Sequence, residues 1–284
     1  MPGSPPTFAN DLAASALGRW RPWVDPATGA SPQRDFLAAA SRTRVRVFRA
    51  GNRGGKTTVA GVDALHRCLG THPAVGLRAG FRAPPVRVWM SALDWEWGVG
   101  QVLWPAMEPL VPWREVRTVD WYRRAAPSVP RALVFRNGSR LDFKSAEAGR
   151  TKYQGAALDA VYLDEEHPAD VVEECRARLL RGGDLAVALT PVRRERWVLD
   201  LEREPGTVVV RASTFAAARA GLLDEAAVAA YAGSLPDRQR LVRMEGEFMA
   251  LEGLVYPEWD EALHVLRPGG AGAATNARGD LAVP

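Results

Sequence analysis

Cysteine and histidine are scarce in this chain of 284 residues, and it has no long apolar run. The two cysteines, Cys68 and Cys175, provide neither a disulfide framework nor a metal-ligand spacing, which favours a reducing compartment. The four histidines are scattered, so surface or packing roles are favoured over metal binding. Because the sequence shows no membrane-spanning run and no signal-like N-terminus, we expect a soluble, cytoplasmic protein without membrane contact.

Overall composition is that of an ordinary globular protein, with 47% hydrophobic and 25% charged residues. The length allows one large domain or two small ones. A net charge of +4, in which arginine greatly outnumbers lysine, is compatible with nucleic-acid binding but does not require it. The ten tryptophans are interpreted mainly as packing residues.

A glycine-rich segment, residues 50–57, is the most informative feature of the chain. It follows an alternating apolar run at residues 45–48 and precedes a helix-like run at residues 58–65. A strand, a glycine-rich loop ending in Gly-Lys-Thr and a helix form the layout of a P-loop. Ala50 occupies the first position, where the strict pattern has glycine. The alternative interpretation is a glycine-rich turn with a solvated lysine.

The residue types of this loop fit a bound polyphosphate. Backbone N–H groups and the helix dipole favour negative charge at the start of the helix. Gly54 and Gly55 allow close approach of the backbone, Lys56 would reach the β- and γ-phosphates, and the Thr57 hydroxyl would hold Mg²⁺. The predicted ATP-binding residues in the loop are Gly51, Asn52, Arg53, Gly54, Gly55, Lys56, Thr57 and Thr58.

A second part of the predicted site follows the apolar run at residues 158–163. Asp164 and Glu165 close this run, and carboxyl ends of parallel strands face the ligand crevice. We expect Asp164 to lie beside Thr57 and bind Mg²⁺, with both parts of the site on neighbouring strand tips. Glu165 would orient the attacking water, and Glu166 is the weaker catalytic candidate. An acidic helix start before Pro168 is the alternative interpretation.

Strand-like and helix-like segments alternate along most of the chain, which predicts an α/β fold with a mostly parallel central sheet flanked by helices. The Asn137-Gly138 pair predicts a hairpin with a two-residue turn. Further strands are expected at residues 86–90, 185–189 and 208–210, and further helices at residues 31–37, 99–107, 168–180, 222–231 and 236–244. We predict an N-terminal lead-in over residues 1–30, a P-loop ATPase domain over 31–250, and an exit segment with a flexible tail over 251–284.

The order and spacing of five segments resemble the ATPase half of the large terminase subunit, the DNA-packaging motor of tailed bacteriophages. The resemblance covers roughly residues 30 to 266. Its segments are Gln33 after Pro32, residues 51–57, residues 153–166, residues 189–191 followed by Trp197, and residues 245–248 followed by 253–257.

This resemblance implies a P-loop NTPase of the additional-strand, catalytic-glutamate type that uses ATP and Mg²⁺. It implies that Gln33 contacts adenine and that Thr190 senses the γ-phosphate and couples its loss to movement. Arg53 could contact the γ-phosphate in cis or form a surface salt bridge. Gln154 stands where the family has a trans-acting arginine, so Arg150 is a candidate replacement, with a solvated loop arginine as the equal alternative.

The implied partners are double-stranded DNA, a portal protein, a small terminase subunit and further copies of the chain in a ring, which the resemblance implies to be a pentamer, although an isolated domain can be monomeric. The implied location is the infected host's cytoplasm, docked transiently on the procapsid portal. No nuclease activity is expected, since the nuclease domain is absent. Two alternatives stay open, a helicase-like translocase and a nucleotide-dependent scaffold with weak hydrolysis. Candidate DNA-gripping pairs are Arg42/Arg44, Arg123/Arg124, Arg193/Arg194 and Arg238/Arg240.

Overall fold

The computed structural model describes residues 12–122 and 129–248, which belong to one compact unit. The predicted tail, the first part of the predicted lead-in and the candidate pair Arg123/Arg124 lie outside the described residues. The proposed domain boundaries therefore stay a prediction.

The central feature is an eight-stranded sheet with the order β3-β4-β5-β2-β6-β7-β1-β8. The five pairings among β5, β2, β6, β7, β1 and β8 are parallel, while β3–β4 and β4–β5 are antiparallel. The predicted α/β fold with a mostly parallel sheet is thereby confirmed. The strands are β1 (Val45–Ala50), β2 (Arg87–Ala92), β3 (Val116–Tyr122), β4 (Val129–Phe135), β5 (Arg140–Ser145), β6 (Ala160–Asp164), β7 (Asp184–Leu189) and β8 (Thr207–Ala212).

Helices of 4 to 14 residues connect and cover these strands. The α-helices of the described residues are α1 (Ala16–Arg19), α2 (Pro32–Ala38), α3 (Lys56–Leu69), α4 (Trp104–Met107), α5 (Ala169–Arg178), α6 (Arg196–Arg203), α7 (Thr214–Arg219), α8 (Glu225–Ser234) and α9 (Asp237–Glu245). A π-helical segment, Trp95–Leu103, leads into α4. Short 3₁₀ turns occur at Ala39–Ser41, Glu108–Leu110, Trp113–Glu115, Ala146–Ala148 and Arg150–Tyr153.

Alternate residues of the central strands pack into two different apolar clusters, one on each face of the sheet. In β6, Val161 and Leu163 join the cluster with α5 and α6, whereas Ala160 and Tyr162 join the cluster with α2, α3 and α4. Side chains alternate between faces along a strand, so a strand covered on both sides needs an apolar residue at every position. This requirement explains why its sequence is a continuous apolar run.

Charged side chains are also buried within this layered core. The Arg46 guanidinium lies 2.7 Å from the Asp63 carboxylate, and both side chains are almost fully buried. Arg67 forms a second buried ion pair with Asp184. Buried charges require such partners because an isolated ion in a protein interior is strongly destabilising. Part of the arginine excess is therefore structural.

The structure corrects two local predictions and shows two elements that the sequence did not predict. The hairpin forms, but a four-residue connection containing Asn137 and Gly138 joins β4 to β5, with Gly138 at φ +87°. The helix predicted to begin at Leu222 begins at Glu225, because the Asp224 side chain caps its first turn. Helix α7 and strand β3 were not predicted. None of the described helices is long and apolar enough to cross a membrane.

Candidate functional site

Three strands bring the predicted site residues to one edge of the sheet. β1 ends at Ala50 before the glycine-rich loop, β6 ends at Asp164, and β7 ends just before Thr190. The expectation of neighbouring strand tips is wrong, because β7 pairs with both β1 and β6 and lies between them. The inserted strand contributes Thr190 to the middle of the site, so three strand ends surround the same space.

The glycine-rich loop ends where helix α3 begins. Gly55 caps this helix with a left-handed backbone, φ +80°, a conformation that glycine adopts without steric cost. The Lys56 ammonium donates to the Thr190 hydroxyl at 2.8 Å and to the Gly51 carbonyl at 3.2 Å. Its side chain is buried under the loop. The lysine therefore already points into the loop's concave side, where a phosphate group would meet the helix N-terminus.

A layer beneath the loop comes from the lead-in and helix α2. Gln33 is buried, its amide nitrogen donates to the Gly55 carbonyl at 3.0 Å, and its amide oxygen accepts from the Trp23 N–H at 3.2 Å. The Trp23 indole donates to the Gly54 carbonyl at 3.3 Å. The predicted adenine contact of Gln33 stays a prediction. These contacts place its amide against the loop backbone, and sequence reasoning missed the role of Trp23 there.

The end of helix α9 packs against the start of the loop from the opposite direction. The Asn52 N–H donates to the Arg243 carbonyl at 2.6 Å, and the Asn52 carbonyl accepts from the Thr214 hydroxyl at 2.7 Å. A Cβ atom on Gly246 would lie 2.6 Å from the Ala50 carbonyl carbon. The segment at residues 245–248 thus contacts the P-loop backbone directly.

Asp164 lies against the loop's threonine, as the predicted metal site requires. The Thr57 hydroxyl is 2.9 and 3.1 Å from the two oxygens of the buried Asp164 carboxylate. Burial, followed by the charge of Glu165, raises the pKa of Asp164 to about 7. A hydroxyl and a carboxylate are hard oxygen donors of the kind that Mg²⁺ uses beside phosphates and water. Thr57 and Asp164 therefore fit a magnesium ion.

Glu165 follows in a conformation that is unusual for a glutamate, with φ +72°. Such backbones cost about 1–3 kcal/mol and occur often at functional sites. Three contacts hold it: its N–H donates to the Ala188 carbonyl at 2.8 Å, its carbonyl accepts from His167 Nδ1 at 3.0 Å, and its carboxylate accepts from the Thr190 N–H at 3.0 Å. The carboxylate also lies 3.9 Å from the Lys56 ammonium. It is thereby directed towards the loop.

Glu166 has a different environment from its neighbour. Its buried carboxylate accepts hydrogen bonds from the backbone N–H groups of Arg193 and Glu195. Burial is the main cause that raises its pKa. The side chain therefore organises the loop between β7 and α6. This arrangement agrees with its lower rank as a catalytic candidate.

The two candidate arginines occupy contrasting places. Arg53 is exposed on the loop, with φ +60°. Arg150 forms a two-point ion pair with Glu174, with N···O distances of 3.0 and 2.9 Å. For Arg150 to act in the nucleotide site of a neighbouring copy of the chain, this ion pair would therefore have to break. Both proposed roles stay predictions.

A cavity of about 880 Å³ opens over the loop. Its wall includes Asn52, Arg53, Gly55, Lys56, Thr57, Thr58 and Glu165 on the polar side. Gln101, Val102, Pro105 and Ala106 lie on another part of the wall, and helix α8 with the segment before it contributes Leu222, Leu223 and Tyr231. This volume and this mixture of apolar and polar groups suit a nucleotide.

Comparisons with known proteins agree with this geometry. The sequence model for the N-terminal part of the T4likevirus-type terminase large subunit matches residues 47–258. The large terminase ATPase domain of Thermus phage P74-26 has a similar fold, with a TM-score of 0.52, 18% identity, and coverage of 87% of this chain and 100% of that chain. A point mutant of that domain gives a TM-score of 0.52 and 18% identity, covering 86% of this chain and 99% of that chain. No curated protein matches significantly.

The family match spans well over half of the 284 residues and includes the glycine-rich loop, the Asp164–Glu165 strand end and Thr190. The matching solved structures have the same type of P-loop sheet with flanking helices. The predicted family and fold class are thereby confirmed. This chain belongs to the terminase large subunits and has the fold of their ATPase domain.

Proposed function

We propose that this chain is the ATP-hydrolysing motor domain of a viral DNA-packaging terminase, which drives double-stranded DNA into a procapsid. One observation carries the proposal: Lys56, Thr57 and Glu165 line a single cavity, and the buried Asp164 and Thr190 contact them directly. The P-loop supplies phosphate binding, and the acidic strand end supplies metal binding and water activation. Phosphoryl transfer needs these functions in one place.

Each residue has a separate chemical role in this scheme. The loop N–H groups and Lys56 would bind the β- and γ-phosphates. Thr57 and Asp164 would hold Mg²⁺, which supplies charge neutralisation at those phosphates. Glu165 would orient a water molecule in line with the γ-phosphate and accept its proton. Arg53 could add positive charge from within the loop.

Thr190 is the proposed coupling residue. Its hydroxyl accepts from Lys56 and donates to the Ala50 carbonyl at 2.9 Å, and its N–H donates to Glu165. One residue therefore contacts the phosphate-binding lysine, the catalytic carboxylate and the loop backbone. Loss of the γ-phosphate would change these contacts first, and the β7–α6 connection would transmit the change towards the DNA.

Release of inorganic phosphate from Mg·ATP, measured with and without duplex DNA, tests this function. We expect turnover that Lys56→Ala reduces at least about a hundredfold, because the lysine contacts the phosphates directly. Arg34→Ala is the control, since that cationic side chain is exposed and forms no ion pair within the described residues.

Two outcomes would contradict the motor assignment. Turnover retained in Lys56→Ala would remove the P-loop from the chemistry. Nucleotide binding without turnover in the wild type, with or without DNA, would favour the nucleotide-dependent scaffold. DNA-stimulated turnover supports a translocating motor over that scaffold, and the family match favours the packaging motor over the helicase-like alternative.

A further inference from the structure

A chain of buried side chains runs from the backbone of Glu165 to a loop at residues 150–153. His167 Nδ1 lies 3.0 Å from the Glu165 carbonyl, and His167 Nε2 lies 2.8 Å from the Ser91 hydroxyl. The Ser91 hydroxyl lies 2.5 Å from the Tyr153 hydroxyl. All three side chains are fully buried, so each contact forms away from bulk water. Hydrogen bonds in such surroundings restrict geometry more strongly than those at a surface.

The chemistry of each group fixes the direction of the hydrogen bonds. A carbonyl oxygen can only accept, so His167 Nδ1 must carry the hydrogen that it donates to Glu165. Burial lowers the pKa of His167 to about 4, so its ring is neutral near pH 7 and Nε2 accepts. Ser91 therefore donates to His167 at 2.8 Å, in preference to the more distant Ala92 carbonyl at 3.4 Å, and accepts from Tyr153. The direction runs from Tyr153 through Ser91 and His167 to Glu165.

This chain ends at Glu165, a residue of the site with an unusual backbone conformation. Glu165 has φ +72°, and its carbonyl contact with His167 is one of three that hold it. A second contact fixes the neighbouring backbone, since the Trp197 indole donates to the His167 carbonyl at 2.9 Å. Residues in unusual backbone conformations persist only where their surroundings impose them. His167 is therefore well placed to set the direction of the Glu165 carboxylate.

We propose that His167 is a positioning residue for Glu165, and that Ser91 and Tyr153 select the Nδ1–H tautomer that this task requires. The inference rests on the proposed ATPase function, in which Glu165 orients the attacking water. It also links the catalytic carboxylate to the 3₁₀ turn Arg150–Tyr153. Lys152 in this turn is exposed, and so is Gln154, the residue after the turn. A partner that displaces this turn would change turnover without contacting the nucleotide.

The tautomer can be measured directly in protein labelled with ¹⁵N-histidine. The chain has only four histidines, so His167→Gln identifies the His167 signals. Long-range ¹H–¹⁵N spectra of the wild type should show hydrogen on Nδ1 of His167. In Ser91→Ala, the loss of the donor to Nε2 should shift these signals towards a mixture of tautomers. A wild-type ring with hydrogen on Nε2, or unchanged signals in Ser91→Ala, would overturn the relay.

Steady-state ATP hydrolysis tests whether the relay positions Glu165. We expect Ser91→Ala to lower kcat about tenfold with KM within about twofold, because small displacements of a catalytic group slow chemistry more than binding. Tyr153→Phe should have a smaller effect in the same direction, since Ser91 would still donate to His167.

Ser139→Ala is the matched control for this kinetic experiment. Ser139 is also fully buried and accepts from the Val86 N–H at 3.1 Å, but it precedes β5 at the opposite edge of the parallel strands. The Ser139→Ala variant should lose a comparable hydrogen bond and keep the kcat of the wild type. Wild-type kcat in folded Ser91→Ala would overturn the positioning role. An inactive wild type would instead contradict the proposed function, and the tautomer measurement would still test the relay.

Discussion

At the scale of single residues, Gln33 could assist nucleotide binding in two ways, by contacting adenine or by supporting the loop. A glutamine that reads adenine would discriminate ATP from GTP, whereas one that supports the loop would affect both nucleotides equally. Its amide contacts Gly55 and Trp23, which favours support of the loop. We therefore predict that Gln33→Ala weakens ATP and GTP binding by similar factors, about fivefold to tenfold, the worth of one or two buried hydrogen bonds.

Equilibrium binding of fluorescent ATP and GTP analogues measures this effect. Asp35→Ala is the control, because Asp35 is exposed on the same helix α2. Loss of ATP binding alone in Gln33→Ala would contradict loop support and establish the adenine contact instead.

The sequence identifies the residues of the site that belong to short motifs. Lys56, Thr57 and the pair Asp164–Glu165 are recognisable because each stands at a fixed place after an apolar strand. Trp23, Ser91 and His167 are not recognisable in this way. Ser91 lies on β2, 76 positions before His167, and only the pairing of β2 with β6 brings the two together. Contacts that depend on strand order leave no local pattern.

At the scale of elements, the contact between the P-loop and the end of α9 leads to a stability prediction. Gly246 has φ +67°, and an added Cβ would lie within 3 Å of three Ala50 backbone atoms. We predict that Gly246→Ala lowers the free energy of unfolding by about 3 kcal/mol or more, because backbone strain and overpacking combine. Chemical denaturation at constant temperature measures the change.

Gly221→Ala provides the matched comparison. Gly221 also has a left-handed backbone, φ +80°, but no atom lies within 4 Å of its added Cβ. This variant should lower the free energy of unfolding only by the cost of the backbone strain, about 1–2 kcal/mol. Equal losses in the two variants would show that the packing of α9 against the loop contributes nothing to stability.

Elements were predictable where burial was complete or a cap was visible. Strands β6 and β7 are apolar at nearly every position because helices cover both faces of the sheet. Strand β3 was missed because it is an edge strand, with exposed Arg117, Thr118 and Asp120 that disrupt an apolar pattern. The start of α8 was misplaced because the apolar pair Leu222–Leu223 lies outside the helix, where both residues line the cavity and Leu223 also packs against two apolar clusters.

At the scale of the whole molecule, the charge distribution fits a partner without sequence preference. Several exposed arginines lie outside the nucleotide cavity, including Arg42, Arg44, Arg193 and Arg238. Contacts from such residues to phosphates are independent of base sequence. We predict that duplexes of different sequence bind with similar affinity, and that raising salt from 50 to 200 mM weakens binding at least about tenfold through counterion release.

Fluorescence anisotropy with labelled duplexes at several salt concentrations measures this dependence. Because the chain has only three lysines, Lys56, Lys144 and Lys152, the slope of affinity against salt concentration reports mainly on arginine contacts. Affinity that is independent of salt would contradict an electrostatic grip by this chain.

In the proposed function, the loop and the acidic strand end act on one Mg·ATP, with Glu165 activating water. The most direct measurement combines ATP affinity and phosphate release for wild type and Glu165→Gln. Glutamine keeps an oxygen that can accept from Thr190 but cannot take a proton from water. The proposed function predicts affinity within about threefold of wild type and turnover at least about a hundredfold slower. Wild-type turnover in Glu165→Gln would contradict it.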